Sequence, residues 1–224
     1  MKRSVVGHLI LKDLRLQRTT MLISVAAGFV ALALMQRGGE VPLVIGSVWF
    51  FVALVVLGSM LPVSSIVNER KKQSLAFLMS LPLSSIQYTT AKMISSLIMF
   101  LLPWLTLVAA ALILIEKRSF LPHGAIPMLL ILSLMPLVGF SLISGAALVG
   151  ESEGWAIAAS VICNSSYGLI WYLLARVPSL TTHWSGRVAI WNSTVLRILA
   201  IESGLTILLI GITFFLQSKK RDFT

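Results

Sequence analysis

Residues 93–115 read MISSLIMFLLPWLTLVAAALILI, twenty-three residues from Met93 to Ile115 without a charged side chain. As an α-helix rising about 1.5 Å per residue, this run spans roughly 34 Å, and the hydrocarbon core of a bilayer is about 30 Å thick. A helix apolar all round has no face to turn towards water, and in lipid it needs none. Similar stretches run from Thr19 to Met35, Val41 to Val67, Gly124 to Gly150, Gly154 to Ala175 and Ile198 to Leu216, the last carrying one acid, Glu202. Six crossings with short joins use nearly all of the 224 residues. The expectation is an all-α integral membrane protein with six transmembrane helices in a single domain, leaving no room for a separate soluble one.

Composition agrees, since 57% of residues are hydrophobic and 12% charged, whereas soluble domains carry about 25% charged residues. The net charge of +10 does not point to nucleic acid, because the basic residues sit beside the apolar stretches, where they set topology and face anionic lipid. An even number of crossings puts both termini on one side. That side holds Lys2, Arg3, Lys12, Arg15, Arg18, Arg70, Lys71, Lys72, Lys92, Lys219, Lys220 and Arg221, and the other holds Arg37, Lys117, Arg118, Arg176, Arg187 and Arg197. Twelve against six predicts cytoplasmic termini in the inner membrane. The acidic join from Glu151 to Gly154 is then cytoplasmic without a positive charge, although acids weigh little in this rule. Cys163, the one cysteine, lies in an apolar run and reads as a packing residue. Ala31-Leu32-Ala33 resembles a cleavage site, but the charged stretch through Arg18 ahead of the first apolar run predicts an uncleaved helix.

Three segments interrupt the plain spanning pattern. The fourth apolar stretch contains Pro127, Pro136, Gly139 and Gly145, which predicts a kinked or broken helix whose freed carbonyls are satisfied by neighbours. In residues 1–18, helical spacing sets His8, Lys12, Arg15 and Arg18 opposite Val5, Val6, Leu9 and Leu16, the pattern of an interfacial amphipathic helix, with Asp13 falling among the apolar residues. The join between the second and third crossings, NERKKQSLAFLMSLPLSS, is charged at its start and periodic in its middle. Leu75, Leu78, Met79 and Pro82 share one face of a helix over 69–82, while Arg70, Gln73, Phe77 and Ser80 share the other. An aromatic set among basic and polar residues on a short helix is what a docking knob requires.

With these residues in view the chain resembles the ABC-2 family of transporter permeases, on Glu69 with RKKQSLAFLMSLPLSS, Lys92 at the next crossing, and the overall order of segments. Ser74 stands where a small residue, usually Gly, follows the acidic start. The resemblance implies an exporter of two permease subunits, either two copies or this chain with a homologue, and two ATPase subunits, each coupling helix resting in an ATPase cleft. The docking residues would be Glu69, Arg70, Gln73, Phe77 and Ser80. ATP and Mg would be bound by the partner, since no G-x-x-x-x-G-K-[ST] loop occurs here to cradle phosphates.

For a substrate path, the second crossing offers Trp49, Phe50, Phe51 and Met60, and the fifth offers Asn164, Ser165, Ser166, Tyr167 and Trp171. The family reading places these crossings near the dimer axis, and polar groups in mid-membrane seek the bundle interior or water. Residues 177–197, with Pro178, His183, Trp184, Gly186 and Trp191, read as external and interfacial; in ABC-2 permeases short re-entrant helices here cap the cavity. Glu202, about one turn beyond Arg197, is placed either to pair with it or to be solvated. An intramembrane protease is disfavoured because His8, His123 and His183 lie outside the apolar centres. A haem-exporter-like permease and an ion-driven secondary transporter, for which Glu202 is the sole midplane candidate, stand as alternatives. Composition does not rank lipids, hydrophobic peptides or drugs as cargo.

Overall fold

The computed structural model describes residues 2–67, 85–118, 121–150 and 153–219, and among them every regular element is helical. The long helices are α1 (Lys2–Met35), α2 (Glu40–Pro62), α3 (Ser85–Arg118), α4 (Ile126–Val149), α5 (Glu153–Ala175) and α6 (Ser193–Lys219). Each is long and apolar enough to cross a bilayer, giving six spans. They run up and down, so that α1 begins and α6 ends at what is called here the terminal face.

The main packings set α1 against α2 and α3, and α4 against α2, α5 and α6. At the α1–α2 hairpin Gly38 and Gly39 take φ of 75° and 90°, a left-handed backbone that a Cβ disfavours, and the chain reverses within four residues. Phe100 of α3 stacks on Phe140 of α4, with ring centroids 4.9 Å apart, and Leu57 and Leu61 of α2 close the same cluster. The fourth helix is the most buried of the six, whereas α5 and α6 are the least covered. In lipid this is no defect, because an exposed leucine is as well solvated by acyl chains as by protein.

The expected break in the fourth helix does not occur, for Ile126–Val149 is one continuous helix. Pro127 falls in the first turn, where the missing N–H would have had no partner. Pro136 is accommodated inside the helix; it removes the donor for the Leu132 carbonyl, and in the same turn the indole of Trp104 donates to the adjacent Ser133 carbonyl at 2.6 Å. Two other boundaries differ from the sequence reading. The helix that begins at residue 2 runs into the first crossing without interruption, and the sixth starts at Ser193, five residues ahead of the apolar run, because Asn192 Oδ1 accepts from the Val195 N–H at 2.9 Å and caps it.

Gly139 sets the approach of α5 to α4. A Cβ there would land on the hydroxyl of Tyr167, with Cys163 alongside at 3.7 Å. Gly139→Ala is therefore expected to lower stability in detergent by about 1–3 kcal/mol through overpacking, and Tyr167→Phe in the same chain to restore part of the loss. Thermal unfolding of the single and double variants checks this; a Gly139→Ala protein as stable as the parent would refute the close approach.

Candidate functional site

Two helices are longer than a bilayer requires. Both α1 and α3 have 34 residues, about 51 Å against a hydrocarbon core of roughly 30 Å. Counted from its far end at Met35, Asp13 is 22 residues or about 33 Å down α1, and counted from Ile115, Lys92 is 23 residues or about 35 Å down α3. Both therefore fall at the hydrocarbon boundary on the terminal face, and they meet there. Lys92 Nζ lies 2.8 Å from Asp13 Oδ2, with side chains only 2% and 5% exposed.

The pair is wrapped by further polar groups. The Ser95 hydroxyl donates to the same Asp13 oxygen at 3.0 Å, and Lys92 Nζ also donates to the Ser65 carbonyl at 3.3 Å. Ser65 belongs to a single π-helical turn, Val63–Val67, that follows Pro62 at the end of α2, and its hydroxyl is 3.5 Å from that of Ser96. Leu9, Ile66, Tyr88 and Ala91 pack around this node. The network thus ties α1 to both feet of the segment joining α2 and α3.

This geometry corrects two readings of the sequence. Lys92, grouped above with the surface charges that set topology, is buried and paired; eleven against six still leaves the same bias. Asp13, which interrupted the amphipathic pattern, belongs to the stripe that packs inward, whereas Leu16, grouped with Leu9, is 65% exposed. The buried positions Leu9, Asp13, Ser24, Leu32 and Met35 follow one face of α1. The missed signal was an acid at helical phase with buried residues, together with a lysine opening an otherwise apolar run.

The residues read as a substrate path are partly brought together. The Phe51 ring meets Tyr167 edge-on at 5.9 Å and Trp171 at 6.4 Å, joining α2 to α5. Phe51, Phe50 and Trp171 line a cavity of about 70 Å³ that Trp184 covers from the connection after α5. That is far below the roughly 300–1,000 Å³ of a small-molecule pocket, so it does not hold a hydrophobic cargo. Trp49, Met60 and Asn164 point away from it on exposed faces. Asn164 Nδ2 donates to Ser160 at 3.3 Å, and Ser166 is half-buried, its hydroxyl bonded to the Ile162 and Cys163 carbonyls of its own helix.

Beyond α5 the chain makes one short helical turn, Pro178–Thr181, and then irregular backbone. It is fastened over the start of α4 by Gly124 N–H donating to the Gly186 carbonyl at 2.9 Å, and it is braced by Asn192 Nδ2 donating to Ser179 O at 2.7 Å. Glu202 faces α4 at the helical phase of buried Val195, Thr206 and Thr213. Its Oε2 is buried with no hydrogen-bond partner among the described residues, so of the two placements the sequence left open, pairing with Arg197 or solvation, this oxygen takes neither. The docking candidates Glu69, Arg70, Gln73, Phe77 and Ser80 lie outside the described residues.

The six spans, two of them on helices longer than a bilayer requires, define a multi-pass membrane protein. The family described as "ABC-2 family transporter protein" matches residues 8–220, and the chain belongs to that family. No curated protein and no solved structure matches it.

Removing one partner of a buried ion pair leaves a desolvated charge, which costs about 3–5 kcal/mol, whereas replacing both by apolar residues is often close to neutral. Lys92→Met and Asp13→Leu are each expected to reduce folded yield and thermal stability strongly, and the double variant to recover most of the loss. Size-exclusion profiles and unfolding temperatures in detergent complete the cycle; strictly additive losses would mean that the two side chains do not act as a pair.

Proposed function

We propose that the chain is the membrane-spanning subunit of an ATP-driven exporter in the inner membrane, with cytoplasmic termini, working as a pair with a second copy or a homologous permease and with separate ATPase subunits that hold ATP and Mg. The observation that carries this reading is the family match over nearly the whole chain. The sequence contributes the missing phosphate loop, since nucleotide phosphates need a backbone cradle and lysine that are not present.

The node on the terminal face supports residues 69–82 as the coupling segment. A segment that receives a push must stand on feet that do not slide, and here Lys92 and Ser96 of α3 bind Ser65 at the end of α2. Phe77 is the proposed central anchor for the ATPase, flanked by Glu69, Arg70, Gln73 and Ser80. The aromatic cavity between α2 and α5 is too small for cargo, which supports a path completed between two permeases, with Trp49, Met60 and Asn164 on faces left for that purpose and Phe51, Ser166, Tyr167 and Trp171 behind them. Such a path takes a hydrophobic or amphipathic substrate.

The test uses the chain co-expressed with a candidate ABC-type ATPase subunit. Truncating an aromatic anchor commonly costs about 2 kcal/mol or more, while rim charges cost less. Phe77→Ala is expected to give a folded, inserted protein that co-purifies poorly with the ATPase, and Lys72→Ala to change little; full assembly by Phe77→Ala with loss in Lys72→Ala would overturn the docking face. The purified chain alone is expected to hydrolyse no ATP.

Orientation is checked separately. In a background lacking Cys163, cysteines at Arg37 and Lys117 are expected to react with an impermeant thiol reagent in intact cells and one at Lys71 to stay unreactive. Labelling of position 71 from outside would reverse the topology.

A further inference from the structure

The buried face of α1, marked by Leu9, Asp13, Ser24 and Ala31, packs against α2 and α3. At about 100° per residue, Arg15 and Arg18 lie opposite that face and within one turn of each other. Both are exposed, and neither guanidinium has a partner among the described residues. The same outward ridge continues with Leu22, Ala26 and Phe29, all exposed. Two unpaired cations thus stand at the foot of an apolar track. Because α1 is one upright helix from Lys2 to Met35, it sets these charges one above the other, whereas a helix lying flat in the interface would spread them over many headgroups.

Depth and charge select the occupant. Counted from Met35, Arg18 is 17 residues or about 25 Å down the helix, and Arg15 is 20 residues or about 30 Å. That is the edge of a hydrocarbon core roughly 30 Å thick, where a soluble subunit does not reach. A second copy offers these cations little. Among the described acids, Asp13 is spent on Lys92, Glu40, Glu116 and Glu202 lie towards the opposite face, and Glu153 is already engaged. The other acids, Glu69, Glu151 and Asp222, belong to segments outside the spans, and a second α1 would bring more arginines. What the leaflet itself supplies at this level is phosphate. Guanidinium is planar, always charged and matched to phosphate oxygens in paired hydrogen bonds. Side chains three apart on a helix stand about 5–6 Å from each other at Cβ, close enough for both to close on one phosphodiester.

We infer that Arg15 and Arg18 form a headgroup site for an anionic phospholipid of the leaflet on the terminal face, the two guanidinium groups clamping its phosphate while an acyl chain lies along Leu22, Ala26 and Phe29. A zwitterionic lipid presents the same phosphate but sets an ammonium group beside two arginines, and like charges brought together repel. Preference for a net negative headgroup follows. A lipid tail gains little by leaving other tails for leucine, so the arginines and not the apolar ridge supply the selectivity. The site is built on α1 alone and needs neither nucleotide nor ATPase, so its test stands or fails apart from the exporter reading.

The full-length protein is reconstituted in phosphatidylcholine nanodiscs doped with phosphatidylglycerol or phosphatidylcholine carrying a photoreactive diazirine in the acyl chain, and cross-linked peptides are mapped. Label from phosphatidylglycerol is expected to concentrate on α1 between Arg18 and Phe29. It should exceed label from phosphatidylcholine by about fivefold to thirtyfold, the equivalent of one to two cations at about 1 kcal/mol each. Arg15→Gln combined with Arg18→Gln should bring the two lipids level. Arg15→Lys combined with Arg18→Lys should keep part of the preference, since an ammonium retains the charge and loses the paired bonds. Arg37→Gln, which removes an exposed cation near the opposite face, should change nothing. The parent protein alone reports where the label falls, so a variant that folds poorly leaves the test intact. Equal capture of the two lipids by the parent, label spread evenly over lipid-facing helices, or an undiminished preference in the glutamine pair overturns the site. A lysine pair as selective as the parent overturns the paired-bond geometry. Displacement of the label by inorganic phosphate overturns the lipid in favour of a soluble anion. Efficient disulfide formation between cysteines placed at Leu22 of two copies lacking Cys163, with no lipid label, overturns it in favour of a second copy.

Discussion

The arrangement of the terminal face depends on a lysine and an aspartate that meet out of water. Neither Lys92 nor Asp13 would be tolerated singly at the edge of a hydrocarbon core, and the contact of 2.8 Å between them fixes how far α1 and α3 are displaced along each other. The stability gained is small, because desolvating two charges offsets much of their attraction. What the pair supplies is register. An apolar seam between two long helices permits sliding by a turn, whereas a charge pair with two further hydrogen bonds has one satisfactory alignment.

That register extends to the π turn at the end of α2. Widening the helix at Val63–Val67 brings the Ser65 carbonyl within reach of Lys92, and π turns are found often at functional positions. The segment that follows leaves from this turn and returns at Ser85, a few turns ahead of Lys92 and Ser96. Motion of that segment would be felt first by α1 and α3, and through the Phe100–Phe140 stack by the central helix α4. The outlying helices α5 and α6 pack on α4 through an apolar cluster that includes Met135, Ile143, Leu174 and Val195, and also through small or polar contacts, Gly139 against Tyr167 and Gln217 on Leu148. The small and polar contacts let the helices approach closely, as suits packing in lipid.

Much was legible from residue order alone. The number, length and position of the crossings follow from backbone hydrogen bonding in a medium without water, a constraint that acts on each segment independently of its neighbours. The family resemblance rested on similarly local text. Asn192 as a cap was readable in principle, an Asn three residues ahead of Val195, but it was concealed by measuring the last helix from its apolar run at Ile198. The continuity of α4 through Pro136 was not readable, because an interior proline either bends or ends a helix according to how the neighbouring helices pack around that turn.

The sequence by itself determined that this protein lives in a bilayer, crosses it six times and resembles the ABC-2 transporter proteins, because hydropathy and motif text are properties of the chain read in order. Only the tertiary structure decided that Asp13 turns inward to Lys92, that Phe51 meets Tyr167 while Trp49 and Met60 turn away, and that Glu202 does not find Arg197. Each of those depends on the rotation and offset of one helix against another. A helix apolar on every side carries little in its own sequence to fix either, so the partners of its few polar residues are chosen only when the bundle closes.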